Sequence, residues 1–281
     1  MNPSSERTEP ATCRIVFIGA GNMAAALIGG LIGKGAPAAS ISAVDPSPEQ
    51  RAAIGARFGI DTHERPDAAA LDADVVVLAV KPQQMREAIE AIAPSIRQQL
   101  IVSVAAGVRA SDLSRWLGGY RRIIRTMPNT PALVGLGATG LAELPGCSEQ
   151  DRALAQSIMA AVGQTVWVDD EARLDAVTAL SGSGPAYVFR FIESMIEGGV
   201  KLGLDAEQSR LLALQTVLGA AQLASTASEP PSILRERVTS KGGTTAAALA
   251  VFESLDLPGM VAQAMAAADR RSGELGDEFG K

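Results

Sequence analysis

The sequence is short of cysteine, histidine, aromatic rings and excess positive charge, and each shortage closes off a class of function. Cys13 and Cys147 are the only cysteines in 281 residues. Two isolated thiols cannot build a disulfide framework or a zinc site, and they suggest a reducing, cytoplasmic setting. His63 is the single histidine; read as an exposed residue ahead of the third helix, it leaves no Ser-His-Asp set and no metal cluster. The formal net charge is −6, and no run of Lys and Arg offsets it, so nucleic acid is not an expected partner. The longest apolar runs fall far short of the roughly 20 residues that cross a bilayer, so no membrane partner is expected either. Residues 1–13 are polar, lack an apolar stretch, and read as a tail rather than a signal peptide.

What the chain does have is aliphatic bulk. Hydrophobic residues make up 47% and aromatics only 4%, so the cores must be built from Ala, Val, Leu and Ile. From Arg14 to about Val168, short β-branched runs alternate with Ala-rich amphipathic stretches, which predicts βαβ units and a parallel, doubly wound sheet. The predicted strands are 14–18, 41–45, 74–80, 100–105, 122–127, 138–142 and 165–168. The predicted helices between them are 22–33, 48–58, 83–93, 111–117 and 149–162. After Asp170 no further β-branched run occurs, and helical spacing takes over at 175–180, 185–202, 206–226, 233–238, 244–254 and 257–275. Two domains follow: an α/β domain over 1–168 and an all-α domain over 169–281. Several of the later helices are apolar over much of their circumference, most of all 211–227, which predicts that they are covered by a second copy in a homodimer, or in a larger assembly of dimers.

The strongest local signal is Gly19-Ala20-Gly21-Asn22-Met23-Ala24, directly after an apolar strand and opening a helix. Gly19 permits the tight turn, Gly21 lets backbone approach a pyrophosphate, and small Ala24 allows close packing of helix on strand. The helix N-terminus adds free N–H groups and the positive end of its dipole. These residues predict a nicotinamide dinucleotide, NADPH or NADH. Asp45, at the end of the second strand, is placed to accept from the adenosine ribose hydroxyls and to repel a 2′-phosphate, which favours NADH. Alternatively, Asp45 shapes the turn with Pro46, Ser47 and Pro48 and caps the next helix. Ala79-Val80-Lys81-Pro82 closes another strand at the same edge, with Lys81 a candidate cofactor contact. Ser103-Val104-Ala105-Ala106-Gly107 closes the next, its small residues leaving room for a flat ring.

Several separate motifs then resemble pyrroline-5-carboxylate reductases. In the first half these are IGAGNMAAALIGG at 18–30, AVKP at 79–82, SVAAG at 103–107 and RTMPNTP at 125–131. In the second half they are DAVTALSGSGPAYVF at 175–189 and VTSKGGTTAAAL at 238–249. The resemblance implies an N-terminal Rossmann domain, a helical C-terminal dimerisation domain and an active site shared between subunits. It also implies reduction of the cyclic imine of 1-pyrroline-5-carboxylate to L-proline.

By the same resemblance Gly242, Gly243, Thr244 and Thr245 hold the substrate carboxylate. Ser181, Ser183 and Gly184 line the substrate and nicotinamide pocket, and Glu171 lies near the substrate. The physics of a helix N-terminus with two hydroxyls suits an anion; the alternative is that Thr244 is only an N-cap. Thr245 and Ser181 are the catalytic candidates, and no residue is assigned as general acid. Lys241 stands where many relatives have proline, and Pro66 where some have an asparagine near the cofactor's adenosine. Two other readings remain: a 2-keto-acid reductase, for which Lys201 is the available helix lysine, and a dinucleotide sensor without catalysis.

Overall fold

The computed structural model describes residues 13–281; the polar tail read over 1–13 lies outside them except for Cys13. Packing divides the chain into two compact units. The first comprises residues up to Ser183 together with Ala268–Lys281, and the second is Gly184–Ala267.

The first unit is built on one sheet. Among the described residues it has eight strands: β1 (Ile15–Ile18), β2 (Ile41–Val44), β3 (Asp61–His63), β4 (Val75–Leu78), β5 (Leu100–Ser103), β6 (Ile123–Met127), β7 (Gly137–Glu143) and β8 (Gly163–Trp167). Their spatial order is β3-β2-β1-β4-β5-β6-β7-β8. Helices α1 (Asn22–Gly33), α2 (Pro48–Phe58), α3 (Met85–Ile92), α4 (Ala110–Trp116), α5 (Glu149–Met159) and the short α6 (Arg173–Val177) connect the strands or follow them. The central strands are buried on both faces, which is why they read as unbroken apolar runs such as Val75-Val76-Val77-Leu78. Ile15 and Phe17 join one core with Leu27 and Ile28 of α1. Val16 and Ile18 join the other with Met85 and Ile89 of α3. Each fully buried Ile or Leu of this kind contributes about 1.5–3 kcal/mol.

Local signals fix the ends of the helices. Ser47 caps α2 by accepting from the Gln50 N–H, Pro48 opens it, and Gly59 closes it in the left-handed conformation. Ser148 and Asp151 cap α5 reciprocally.

The sheet departs from the sequence expectation in two places. β3 was not expected; its three residues, Asp-Thr-His, are at least partly exposed and sit at the sheet edge, so they carry no apolar run. His63 is accordingly half-buried in a strand rather than exposed ahead of a helix. The sheet is also not wholly parallel, because β7 pairs antiparallel with β6. The link between them, residues 128–136, forms only a short 3-10 turn over Thr130–Val134 and ends at Gly135 in the left-handed region. A parallel return needs a crossover of about a dozen residues or more, which this link does not have.

The packing boundary at Ser183 lies beyond the change of texture at 169. Leu174 of α6 is fully buried with Met127 and Ala142, so this segment packs on the sheet. The chain end also returns to the first unit. Ser272 Oγ donates to Asp175 Oδ1 at 2.6 Å, and a Cβ on Gly107 would meet the Phe279 ring at 3.0 Å.

The second unit holds α7 (Gly184–Lys201), α8 (Ala206–Thr226), α9 (Pro231–Arg237), α10 (Thr244–Ser254) and the first part of α11 (Leu257–Phe279). α7 and α8 approach closely where Gly199 meets Ser209, whose Oγ lies 2.8 Å from the position a Cβ would take. Within this unit Ala213 is the one buried apolar residue, whereas Phe189, Leu211, Leu218, Leu223 and Val251 are all more than half exposed. A unit with so little interior is not stable by its own burial, and the apolar surface it presents is the kind that associates. Among the described residues no single helix is long and apolar enough to cross a membrane.

Candidate functional site

The first unit gathers the glycine turn, the end of β4 and the end of β5 on one edge of the sheet. Gly19 has φ +99°, and a Cβ there would sit 2.8 Å from the Ala79 carbonyl, so the turn requires glycine twice over. Its N–H donates to Val44 O at 2.8 Å, while Ala79 N–H donates to Ile18 O at 2.8 Å and Val104 N–H to Leu78 O at 3.1 Å. Ala20 and Ala24 are buried, Gly21 and Asn22 are exposed, and Met23 is partly so. Gly21 is the N-cap of α1, and no side chain caps that end. A Cβ added to Gly21 would meet nothing within 4 Å.

An uncapped helix start with open space beside its glycine fits a diphosphate: the N–H groups of the first turn lack intrahelical acceptors. Val80 flanks Gly19, and Lys81 is exposed just before a 3-10 turn. Ala105 is buried, with its N–H 3.4 Å from Ser103 Oγ, and Ala106 is half-buried.

Asp45 does more than lie beside the turn. Its Oδ2 accepts the Ala20 N–H at 2.9 Å and its Oδ1 accepts the Ser47 N–H at 2.9 Å. The cap of α2 is Ser47, not Asp45.

Glu171 is neither a solvated loop charge nor free. Its Oε1 accepts the Ala110 N–H at 2.7 Å, at the start of α4, and Arg125 Nη1 at 3.0 Å. The side chains of Arg125 and Glu171 are only 4% and 22% exposed. Arg125 was not singled out in the sequence, although a charge within the apolar run Ile-Ile-Arg-Thr-Met was the available signal. Asn129 was also missed. It is buried, donates from Nδ2 to Ser181 O at 3.1 Å, and accepts the Ala138 N–H at 2.8 Å through Oδ1. It thus ties the 178–183 segment to the β6–β7 link.

Where one helix was expected over 175–180, α6 ends at Val177 and a π-helical turn follows over Thr178–Gly182. Ser181 lies in this turn. Its hydroxyl donates to Val177 O at 3.0 Å, so its own proton is already engaged and the oxygen lone pairs remain. Ser183 N–H donates to Thr178 O at 2.7 Å. Gly182 sits where a Cβ would come 2.5 Å from Met127 Cε, so the turn packs tightly on β6. π-helical turns of this sort concentrate at functional sites.

In the second unit Gly184 opens α7 and has open space beside it. Gly242 has φ +75°, and Gly243 is the N-cap of α10 with no side-chain cap. Thr244 and Thr245 are therefore the first two helical residues, and Thr244 is not the N-cap. Lys241 is exposed immediately before this turn.

Cys13 and Cys147 are free and half-buried. Burial, reinforced by Asp74 beside the first and by Asp151 and Glu143 beside the second, pushes both thiols up to about 11.

Residues 171–275 match the family model for pyrroline-5-carboxylate reductase dimerisation. Residues 14–107 match the model for NADP oxidoreductases, coenzyme F420-dependent. The chain is 51% identical over 272 residues to a pyrroline-5-carboxylate reductase of Pseudomonas aeruginosa, covering 96% of this chain and 100% of the relative. Among solved structures, a pyrroline-5-carboxylate reductase from Coxiella burnetii is 42% identical with a TM-score of 0.90, over 94% of this chain and 98% of that one. A pyrroline carboxylate reductase from Plasmodium falciparum, with NADP bound, is 30% identical with a TM-score of 0.83, over 94% of this chain and 98% of its own. Identity at this level across nearly the whole length, with both halves matched, shows that the chain belongs to the pyrroline-5-carboxylate reductase family.

Proposed function

We propose that this chain reduces the C=N bond of 1-pyrroline-5-carboxylate to give L-proline, with NADPH or NADH as reductant. The observation that carries the reading is the match, over 96% of the chain, to a relative of that name. NAD(P)H supplies the hydride. The Gly19–Ala24 turn and the uncapped start of α1 hold the cofactor's diphosphate, with Asp45, Ala79, Val80, Lys81, Ala105 and Ala106 around it. The second anion site is the start of α10. There Gly242 and Gly243 bring backbone close, and Thr244 and Thr245 add two hydroxyls for the substrate carboxylate.

The hydride adds to the imine carbon, the C=N π pair withdraws onto nitrogen, and nitrogen ends with one proton. A substrate already protonated on nitrogen brings that proton and is the better electrophile. The chain's task is then to position the ring and exclude water, and such positioning is worth roughly 7–11 kcal/mol at its best. Thr245 is the stronger hydroxyl candidate, since the Ser181 proton is held by Val177 O. Ser181 and Ser183 in the first unit and Gly184 in the second are the remaining substrate candidates, and Glu171 acts by bracing the segment that leads to Ser181.

The helical domain, with its exposed apolar faces, forms a homodimer and supports larger assemblies of dimers. The reduced, shielded cysteines accord with a cytoplasmic location. The test is loss of NADH or NADPH absorbance on adding 1-pyrroline-5-carboxylate, with proline identified by mass. Cofactor oxidation without proline, or none at all, overturns the proposal.

A further inference from the structure

The phosphate-binding turn is stitched to the neighbouring strand end by one carboxylate. Asp45 Oδ2 takes the Ala20 N–H and Oδ1 takes the Ser47 N–H, each at 2.9 Å. The backbone reinforces the same seam, with Gly19 N–H on Val44 O at 2.8 Å and Asp45 N–H on His63 O at 3.0 Å. From α2, Arg51 Nη1 reaches the carbonyls of Asp45 at 2.7 Å and Pro46 at 2.9 Å.

Each carboxylate oxygen can accept more than one hydrogen bond, so a backbone bond does not stop it from reading a ribose hydroxyl, but it gives the group a second task in holding the turn. Here each oxygen already serves a backbone donor, and Arg51, fixed on the carbonyls of the same turn and shared with Glu64 at 3.9 Å, offsets part of the charge that would repel a 2′-phosphate. Ala20 is buried, so its N–H has no solvent to fall back on if the carboxylate is removed.

We propose that Asp45 is a positioning residue that pins the Gly19–Asn22 turn, so that its loss weakens NADH and NADPH alike instead of changing the preference between them. This rests on the cofactor reading given above. A charge-assisted hydrogen bond to backbone is worth enough to alter affinity by a factor on the order of ten.

The experiment is calorimetric titration of the full-length chain with NADH and with NADPH, for the wild type, Asp45→Asn and Asp45→Ala. Both affinities should fall by a common factor of about ten in Asp45→Ala and by less in Asp45→Asn, which keeps one acceptor oxygen. The KM for either cofactor should rise while kcat at saturation holds. Should Asp45→Ala not fold, the near-isosteric Asn variant carries the measurement, with melting temperature as the control. Weaker NADH binding combined with unchanged or tighter NADPH binding overturns the proposal, as does no change in either. A wild type that binds neither cofactor overturns the underlying reading instead, which keeps the two failures distinct.

Discussion

Glu171 offers the sharpest test of how the first unit is held together. Replacing it with alanine removes the carboxylate that pairs with Arg125 Nη1 at 3.0 Å and accepts the Ala110 N–H at 2.7 Å. Arg125 cannot turn to water: its side chain is 4% exposed, and its Nε already lacks a partner. Taking one partner from a buried pair leaves an uncompensated charge, which costs about 3–5 kcal/mol. Unpairing the start of α4 adds about 1 kcal/mol more. Glu171→Gln keeps an acceptor for Ala110 but loses the charge, so it should fall between. The assay is urea unfolding at fixed protein concentration, with the midpoint and slope followed separately because association also shifts the midpoint. The alanine variant should lose about 4–6 kcal/mol in that assay, and in a parallel thermal melt its midpoint should fall by on the order of 10 °C. A loss below about 1 kcal/mol, the level of a surface pair, would show that the brace is not what Glu171 provides. If stability held while the KM for pyrroline-5-carboxylate rose, Glu171 would be a substrate contact after all.

Thr245→Ala should raise the KM for substrate several-fold with cofactor affinity unchanged, while Gly21→Leu should do the reverse and still fold, since nothing lies within 4 Å of a Cβ there; equal loss of both affinities in each variant refutes this division. Burial that pushes both thiols up to about 11 leaves little thiolate, so native protein near pH ~8 should alkylate roughly a hundredfold more slowly than a free thiol, and fast labelling followed by mass spectrometry would refute that. At Asp151 burial alone would raise the carboxyl, but hydrogen bonds from Arg122 and Ser148 outweigh it and hold the group below the usual Asp value. A folded value depressed in this way adds stability above the unfolded value of ~3.9 that is lost as pH falls through the folded one. Asp151→Asn should therefore flatten the acid limb of the melting-temperature profile, and an unchanged limb refutes the linkage.

Period and punctuation alone determined most of this protein. Unbroken apolar runs such as Val75-Val76-Val77-Leu78, short and rich in β-branched residues, mark strands covered on both faces. Gly19-Ala20-Gly21 after such a run, and Gly242-Gly243 before Thr244, mark turns that need backbone without side chains. The apolar circumference of 211–227 already pointed to a covering partner, because exposure of so much aliphatic surface is costly whatever the fold. Those inferences are local: each rests on residues close together in the chain.

Tertiary structure decided what depends on residues far apart. β3 exists only because β2 offers an edge, and β7 turns antiparallel because its link is too short for a crossover. Asp45 meets Ala20 across 25 residues, Glu171 meets Arg125 across 46, and Asn129 meets Ser181 across 52. In sequence each of these is a lone polar residue with several possible uses. Burial removes water as a competing partner, and that is what turns each of them from a polar residue into a brace.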